Sequence, residues 1–83
     1  MSVADQVKSV LNSVLQLGQR VDGWNEQTVL LGNVPELDSM SVVGIISALE
    51  DQFDFTIEDD EIDGDLFATL GSLTRFVEQK LAA

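Results

Sequence analysis

The chain has 83 residues, 45% of them hydrophobic, enough for one thin-cored domain over residues 1–83. Fifteen acidic residues against four basic ones leave a formal charge of −11, which aids solubility, opposes nucleic acid and anionic membranes, and favours basic partner surfaces. Cysteine, histidine and tyrosine are absent, which excludes disulfides and thiolate metal sites and leaves a nucleophilic serine without its usual base.

Residues 2–17 read as a helix, with Val3, Val7, Val10, Leu11 and Val14 at helical spacing on one stripe. Ser2 and Asp5 resemble a capping box, and Gly18 suits the position just past the end. Lys8 falls on the face expected to be solvated. Residues 18–37 form a long connection punctuated by Val21, Trp24, Val29, Leu30, Leu31, Val34 and Leu37. Loops of this length are uncommon in compact domains, so this one should be pinned to the core, with a short turn near Trp24–Thr28. Trp24 reads as a packing anchor, with ligand stacking as the alternative.

Pro35-Glu36-Leu37-Asp38-Ser39-Met40 brings the chain to the start of a second helix over residues 39–53. Ser39 therefore lies at a helix N-terminus, where unpaired N–H groups and the dipole favour a phosphate. A phosphoester on Ser39, not catalysis by it, is the chemistry this placement suits; the plain alternative is that Asp38 and Ser39 are ordinary caps. Val42, Ile45, Ile46, Leu49 and Phe53 share the core arc. The opposite arc holds Met40, Ser41, Gly44, Ser47, Ala48 and Asp51, small and nearly uncharged until Asp51. Gly44 costs about 1 kcal/mol relative to alanine inside a helix, which suggests close backbone approach.

Residues 54–65 are acidic, with Phe55, Ile57 and Ile62 expected to tuck into the core. Asp59, Glu61, Asp63 and Gly64 imitate the start of a calcium-binding loop, but the position that should supply a bidentate glutamate falls on Leu70. No specific metal site is expected. A short third helix is expected over 62–69 with Leu66 and Phe67 facing in, then punctuation at Gly71-Ser72. The last helix is expected over 72–81 on Leu73, Phe76, Val77 and Leu81, with Lys80 near its C-terminus. The pattern predicts an all-α fold: a small four-helix bundle of three main helices and one short one, with a long first loop. No charged-then-apolar leader or membrane-length run is present, so a cytoplasmic protein is expected.

Asp38-Ser39-Met40, then Ala48-Leu49-Glu50-Asp51-Gln52-Phe53, an acidic segment, and Phe67-Ala68-Thr69-Leu70-Gly71-Ser72-Leu73 resemble an acyl carrier protein over about residues 3–82. The resemblance implies a non-catalytic carrier whose Ser39, preceded by Asp38, holds a covalent 4′-phosphopantetheine arm added by a phosphopantetheinyl transferase. Acyl or aminoacyl groups would then ride as thioesters between acyl-loading and acyl-transferring enzymes with basic or apolar docking surfaces. The carrier is expected to be monomeric. Met40, Ser41, Gly44, Glu50 and Asp51 are the candidate partner face, and Val42, Ile46, Ile62 and Phe67 the candidate liners of an acyl pocket. The family's fatty-acid-synthesis members usually carry acids where this chain has Ser41 and Gly44, while Glu50 and Asp51 are retained; the run after Phe53 is also longer. Those departures, with Leu31-Gly32 through Met40, look like pathway-dedicated carriers that serve exopolysaccharide or secondary-metabolite gene sets. Two further readings compete: an acidic helical interaction adaptor without a prosthetic group, and a cation-dependent switch that Trp24 fluorescence would report.

Overall fold

The computed structural model describes residues 2–82. Three α-helices form among them: α1, Val3–Leu15; α2, Ser39–Phe53; and α3, Leu70–Ala82. Short 3-10 segments occupy Gly18–Gly23 and Asp59–Glu61. Helix α1 is the middle element and packs on both α2 and α3. The fold is the all-α bundle expected, with no strand among the described residues.

The stripes read from the sequence meet in one core. Val7, Val10 and Leu11 of α1, Ile45, Ile46 and Leu49 of α2, and Leu70, Leu73 and Val77 of α3 are all buried. Val3, Val14, Val42, Phe53, Phe55, Ile62 and Phe76 are half-buried around that centre. Leu81 departs from its stripe and stands 46% exposed, one turn beyond the buried Val77.

Helix α1 ends two residues earlier than its apolar pattern suggests. Ser2 Oγ accepts from Asp5 N–H, as expected of the cap. At the other end Gln16 is the C-cap, left-handed at φ 56°, and Gly18 two residues on is also at positive φ, 64°. Asn12 stabilises the turn by donating to Gly18 C=O at 3.2 Å and accepting from Gly18 N–H at 2.7 Å. A side-chain bracket thus holds Gly18 just past the Gln16 cap, and sequence spacing alone does not show it.

The long connection is pinned, as its apolar residues foretell. Leu17, Val21, Leu30, Val34 and Leu37 are buried, and Trp24 packs half-buried against the core. A 3-10 segment at Gly18–Gly23 comes first, and the expected turn within Trp24–Thr28 follows it, with Thr28 N–H bonded to Asn25 C=O at 3.0 Å. Lys8 is half-buried and donates to Trp24 C=O at 3.4 Å, so it tethers the loop instead of facing open solvent. Farther on, Leu30 and Leu31 N–H bond Ala68 and Phe67 C=O, and Leu70 and Gly71 N–H bond Thr28 and Glu26 C=O. Val29 and Thr69 form an isolated antiparallel bridge at the centre of this clasp.

That clasp explains two corrections. Residues 62–69 do not form a helix: one turn of 3-10 structure at Asp59–Glu61 precedes turns at 64–67. Their backbone groups bond the long loop, and Asp63 Oδ1 accepts from Leu66 N–H at 3.0 Å. Leu66 and Phe67 still face inward, as expected. The last helix begins at Leu70, with Gly71-Ser72 inside it. A Cβ on Gly71 would stand 2.7 Å from Glu26 C=O, so the glycine admits the loop and does not end a helix. Thr69 and Ser72 cap the new start reciprocally, at 3.1 and 3.0 Å.

Candidate functional site

The loop delivers the chain to α2 through an ion pair. Arg20, in the 3-10 turn, grips Glu36 with both arms of its guanidinium; one contact is Nη2 to Oε1 at 2.9 Å. The paired guanidinium holds the Glu36 carboxyl down at about 2. The fork ties Gly18–Gly23 to the segment directly ahead of Ser39.

Asp38 is the N-cap of α2. Its Oδ1 accepts from Ser41 N–H at 2.8 Å, and Ser41 Oγ accepts from Asp38 N–H at 2.8 Å. Ser41 Oγ also donates to Asp38 C=O at 3.0 Å. The Ser41 N–H bond is the main cause that holds the Asp38 carboxyl below its ordinary range, so it is a carboxylate. Ser39 is the first helical residue, exposed, and not part of this box. Among the described residues nothing pairs with its hydroxyl. The capping work therefore falls to Asp38 and Ser41, leaving Ser39 Oγ open to solvent at the positive end of a fifteen-residue helix. An exposed hydroxyl with no structural duty fits a phosphoester of a long arm, because esterification breaks no bond of the fold.

The other candidate residues divide. Met40 is 80% exposed, beside the open hydroxyl. Val43, 64% exposed, joins it one turn on; the sequence reading passed over it, although i and i+3 spacing puts the two together. Gly44 does not lie on that outer face: it is half-buried, and a Cβ there would stand 3.3 Å from Val14 Cγ1 of α1. The close approach is real, but the approaching element is α1. Ala48 also turns inward, packing against the core. Ser41 is committed to the cap, and Glu50 Oε2 accepts from Ile57 N–H at 2.8 Å, so both serve the fold. Asp51 is exposed.

Of the four expected liners, Val42, Ile46 and Ile62 lie together. With Val43, Ser47 and Asp59 they line an open cavity of about 250 Å³. Val42, Val43 and Ile46 follow Ser39 at i+3, i+4 and i+7, so the cavity lies along the helix below the hydroxyl. Phe67 is not among its liners; it is buried in the core at 3% exposure.

The acidic segment is partly occupied. Glu61 pairs with Lys80 at 2.9 Å, which fastens Asp59–Glu61 to α3. Among the described residues no three acidic side chains converge as metal ligands. No helix among them is long and apolar enough to cross a membrane.

Comparison with known proteins meets this geometry. Residues 5–77 match the family described as "Phosphopantetheine attachment site". An acyl carrier protein of Sulfurovum sp. (strain NBC37-1) is 35% identical over 78 residues, spanning 94% of this chain and 97% of that protein. Another, from Exiguobacterium sp. (strain ATCC BAA-1283 / AT1b), is 43% identical over 44 residues, 53% of each chain. The solution NMR structure of a holo acyl carrier protein from Nitrosomonas europaea matches over 100% of both chains, at 52% identity and a TM-score of 0.93. The chain belongs to the acyl carrier protein family. It is a phosphopantetheine-bearing acyl carrier, with the prosthetic group held covalently, in a family of carriers and not catalysts. An adaptor without the group is not favoured.

Proposed function

We propose that Ser39 is the residue that bears the arm and that a phosphopantetheinyl transferase places it there. The observation that carries this is the division of labour at the start of α2: Asp38 and Ser41 close the cap, and the exposed Ser39 hydroxyl is left unpaired. The bound arm supplies a terminal thiol, which holds the acyl group as a thioester in a chain that has no cysteine of its own.

The chain's own residues do three things. The cap and the Arg20–Glu36 pair fix where Ser39 stands. Met40 and Val43 present an apolar surface to enzymes that use the arm, with Asp51 adding charge farther along α2. Val42, Ile46 and Ile62 offer an apolar groove in which the first carbons of a bound acyl chain find shelter. Met40 and Val43 make the exposed surface beside Ser39 apolar, and Ser41 and Gly44 stand where fatty-acid-synthesis carriers usually have acids, which together support a dedicated pathway with partners that read shape there. We place the monomeric carrier in the cytoplasm, alongside such enzymes.

Co-expression with a transferase and intact-mass analysis test the assignment. The wild-type chain should gain the mass of one arm, and Ser39→Ala, folded as wild type by circular dichroism, should gain none. An arm retained by Ser39→Ala contradicts the assignment.

A further inference from the structure

Ser41 makes more bonds than a surface residue of a docking face needs. Its N–H donates to Asp38 Oδ1 at 2.8 Å, its Oγ accepts from Asp38 N–H at 2.8 Å, and the same Oγ donates to Asp38 C=O at 3.0 Å. Three hydrogen bonds thus join the two residues that bracket Ser39 and Met40. They occupy the carboxylate oxygen and first-turn donor to which a neighbouring hydroxyl would otherwise turn. They also commit the Ser41 hydroxyl proton, so Ser41 is a poor competitor for modification although it lies only two residues away.

We propose that Ser41 is a positioning residue for the loading of Ser39. This rests on Ser39 being the attachment residue. In loading, a bond forms between Ser39 Oγ and the phosphorus of the arm's phosphate. The P–O bond of the pyrophosphate-linked donor, coenzyme A, breaks, and the nucleotide leaves on the phosphate oxygen with the electron pair. The serine proton passes to a base on the transferase, and nothing is oxidised or reduced. A displacement of this kind depends on alignment, and a misplacement of about 1 Å can cost about 100-fold in rate. A first turn stitched at both ends holds Ser39 Oγ in one orientation, whereas a frayed one presents it in many.

The same reciprocal box occurs at Thr69 and Ser72, at the start of α3, where no exposed hydroxyl is enclosed between the capping partners as a candidate for loading. That second box supplies the control, since breaking it perturbs a helix start without touching the attachment turn.

The experiment is steady-state loading with coenzyme A and a purified phosphopantetheinyl transferase, below the melting temperature of every variant. Ser41→Ala should lose tenfold or more in kcat with KM within twofold of wild type. Ser41→Thr, which keeps the hydroxyl, should return kcat to within threefold of wild type, and Ser72→Ala should leave kcat unchanged. The inference is overturned if Ser41→Ala keeps its kcat, if its loss lies in KM alone, if Ser41→Thr fails to rescue, or if Ser72→Ala loses kcat equally. A wild-type chain that takes no arm on Ser39 overturns the attachment assignment itself, so the two failures are distinguishable.

Discussion

Gly44 of α2 and Val14 of α1 sit so close that an ideal Cβ on the glycine would stand 3.3 Å from Val14 Cγ1. The contact lets two helices approach at the point where the sequence suggests a docking surface. Alanine there recovers up to about 1 kcal/mol of helix propensity and spends it on displacing Val14 by a few tenths of an ångström. Gly44→Ala should therefore stay within about 1 kcal/mol of wild type. A larger side chain forces the helices apart, and overpacking costs about 1–3 kcal/mol. Gly44→Glu should be destabilised by that amount in urea melts; wild-type stability in Gly44→Glu would show that the helices do not meet there.

Thr74 is 3% exposed, and its Oγ1 is buried without a hydrogen-bond partner among the described residues. A buried unpaired hydroxyl carries a desolvation penalty of about 1–3 kcal/mol. Thr74→Val keeps the branched shape and removes the oxygen. It should stabilise the fold by about 1 kcal/mol, which in a domain of this size raises Tm by roughly 4–8 °C. Calorimetry that finds Thr74→Val less stable than wild type would mean the hydroxyl has a partner.

Glu36 responds to pH through Arg20. Its folded carboxyl is held at about 2, against an ordinary value of 4.5, chiefly by the Arg20 hydrogen bonds. A depressed folded pKa contributes stability above the unfolded value and loses it as pH falls. The Glu36 contribution is thus complete above about 4.5 and fades toward about 2. Arg20 stays charged throughout that range. The pair is exposed, so the effect should be small and should shrink with salt. Urea titrations between those pH values should show wild type losing more stability than Glu36→Gln as pH falls. Parallel losses in the two proteins would mean that the ion pair contributes nothing.

Met40 and Val43 form an exposed apolar pair beside Ser39, 80% and 64% exposed. Removing a buried apolar anchor from an interface mainly speeds dissociation, whereas rim charges govern association and salt dependence. Met40→Ala and Val43→Ala should each raise the dissociation rate of an acyl-handling partner several-fold with little change in association. Asp51→Asn should act mainly on association at low salt. Unchanged dissociation in Met40→Ala and Val43→Ala would move the docking surface elsewhere.

Much of this was legible because it is local. The stripe Val7, Val10, Leu11 and the stripe Ile45, Ile46, Leu49 follow from helical period, and their burial bears the period out. Asp38 and Ser39 stood out as a cap next to a hydroxyl, although the Ser41 half of the box did not. What stayed hidden is non-local. The pairing of Val29 with Thr69 joins segments forty residues apart, and it explains why residues 62–69 are turns and why Gly71 belongs inside a helix. The outer face of α2 was misplaced for a similar reason. Small residues on an arc suggest an open surface, but Gly44 lies against Val14 of α1 and Ala48 is half-buried against the core.

Everything proposed about loading, positioning and docking depends on which hydroxyl carries the arm. Peptide mapping of the loaded protein by tandem mass spectrometry tests this most directly, because Ser39, Ser41 and Ser47 lie on one helix and compete for the same assignment. The account predicts a single phosphopantetheinylated residue, Ser39, with Ser41 and Ser47 unmodified. An arm found on Ser41 or Ser47 in the wild-type chain would contradict it.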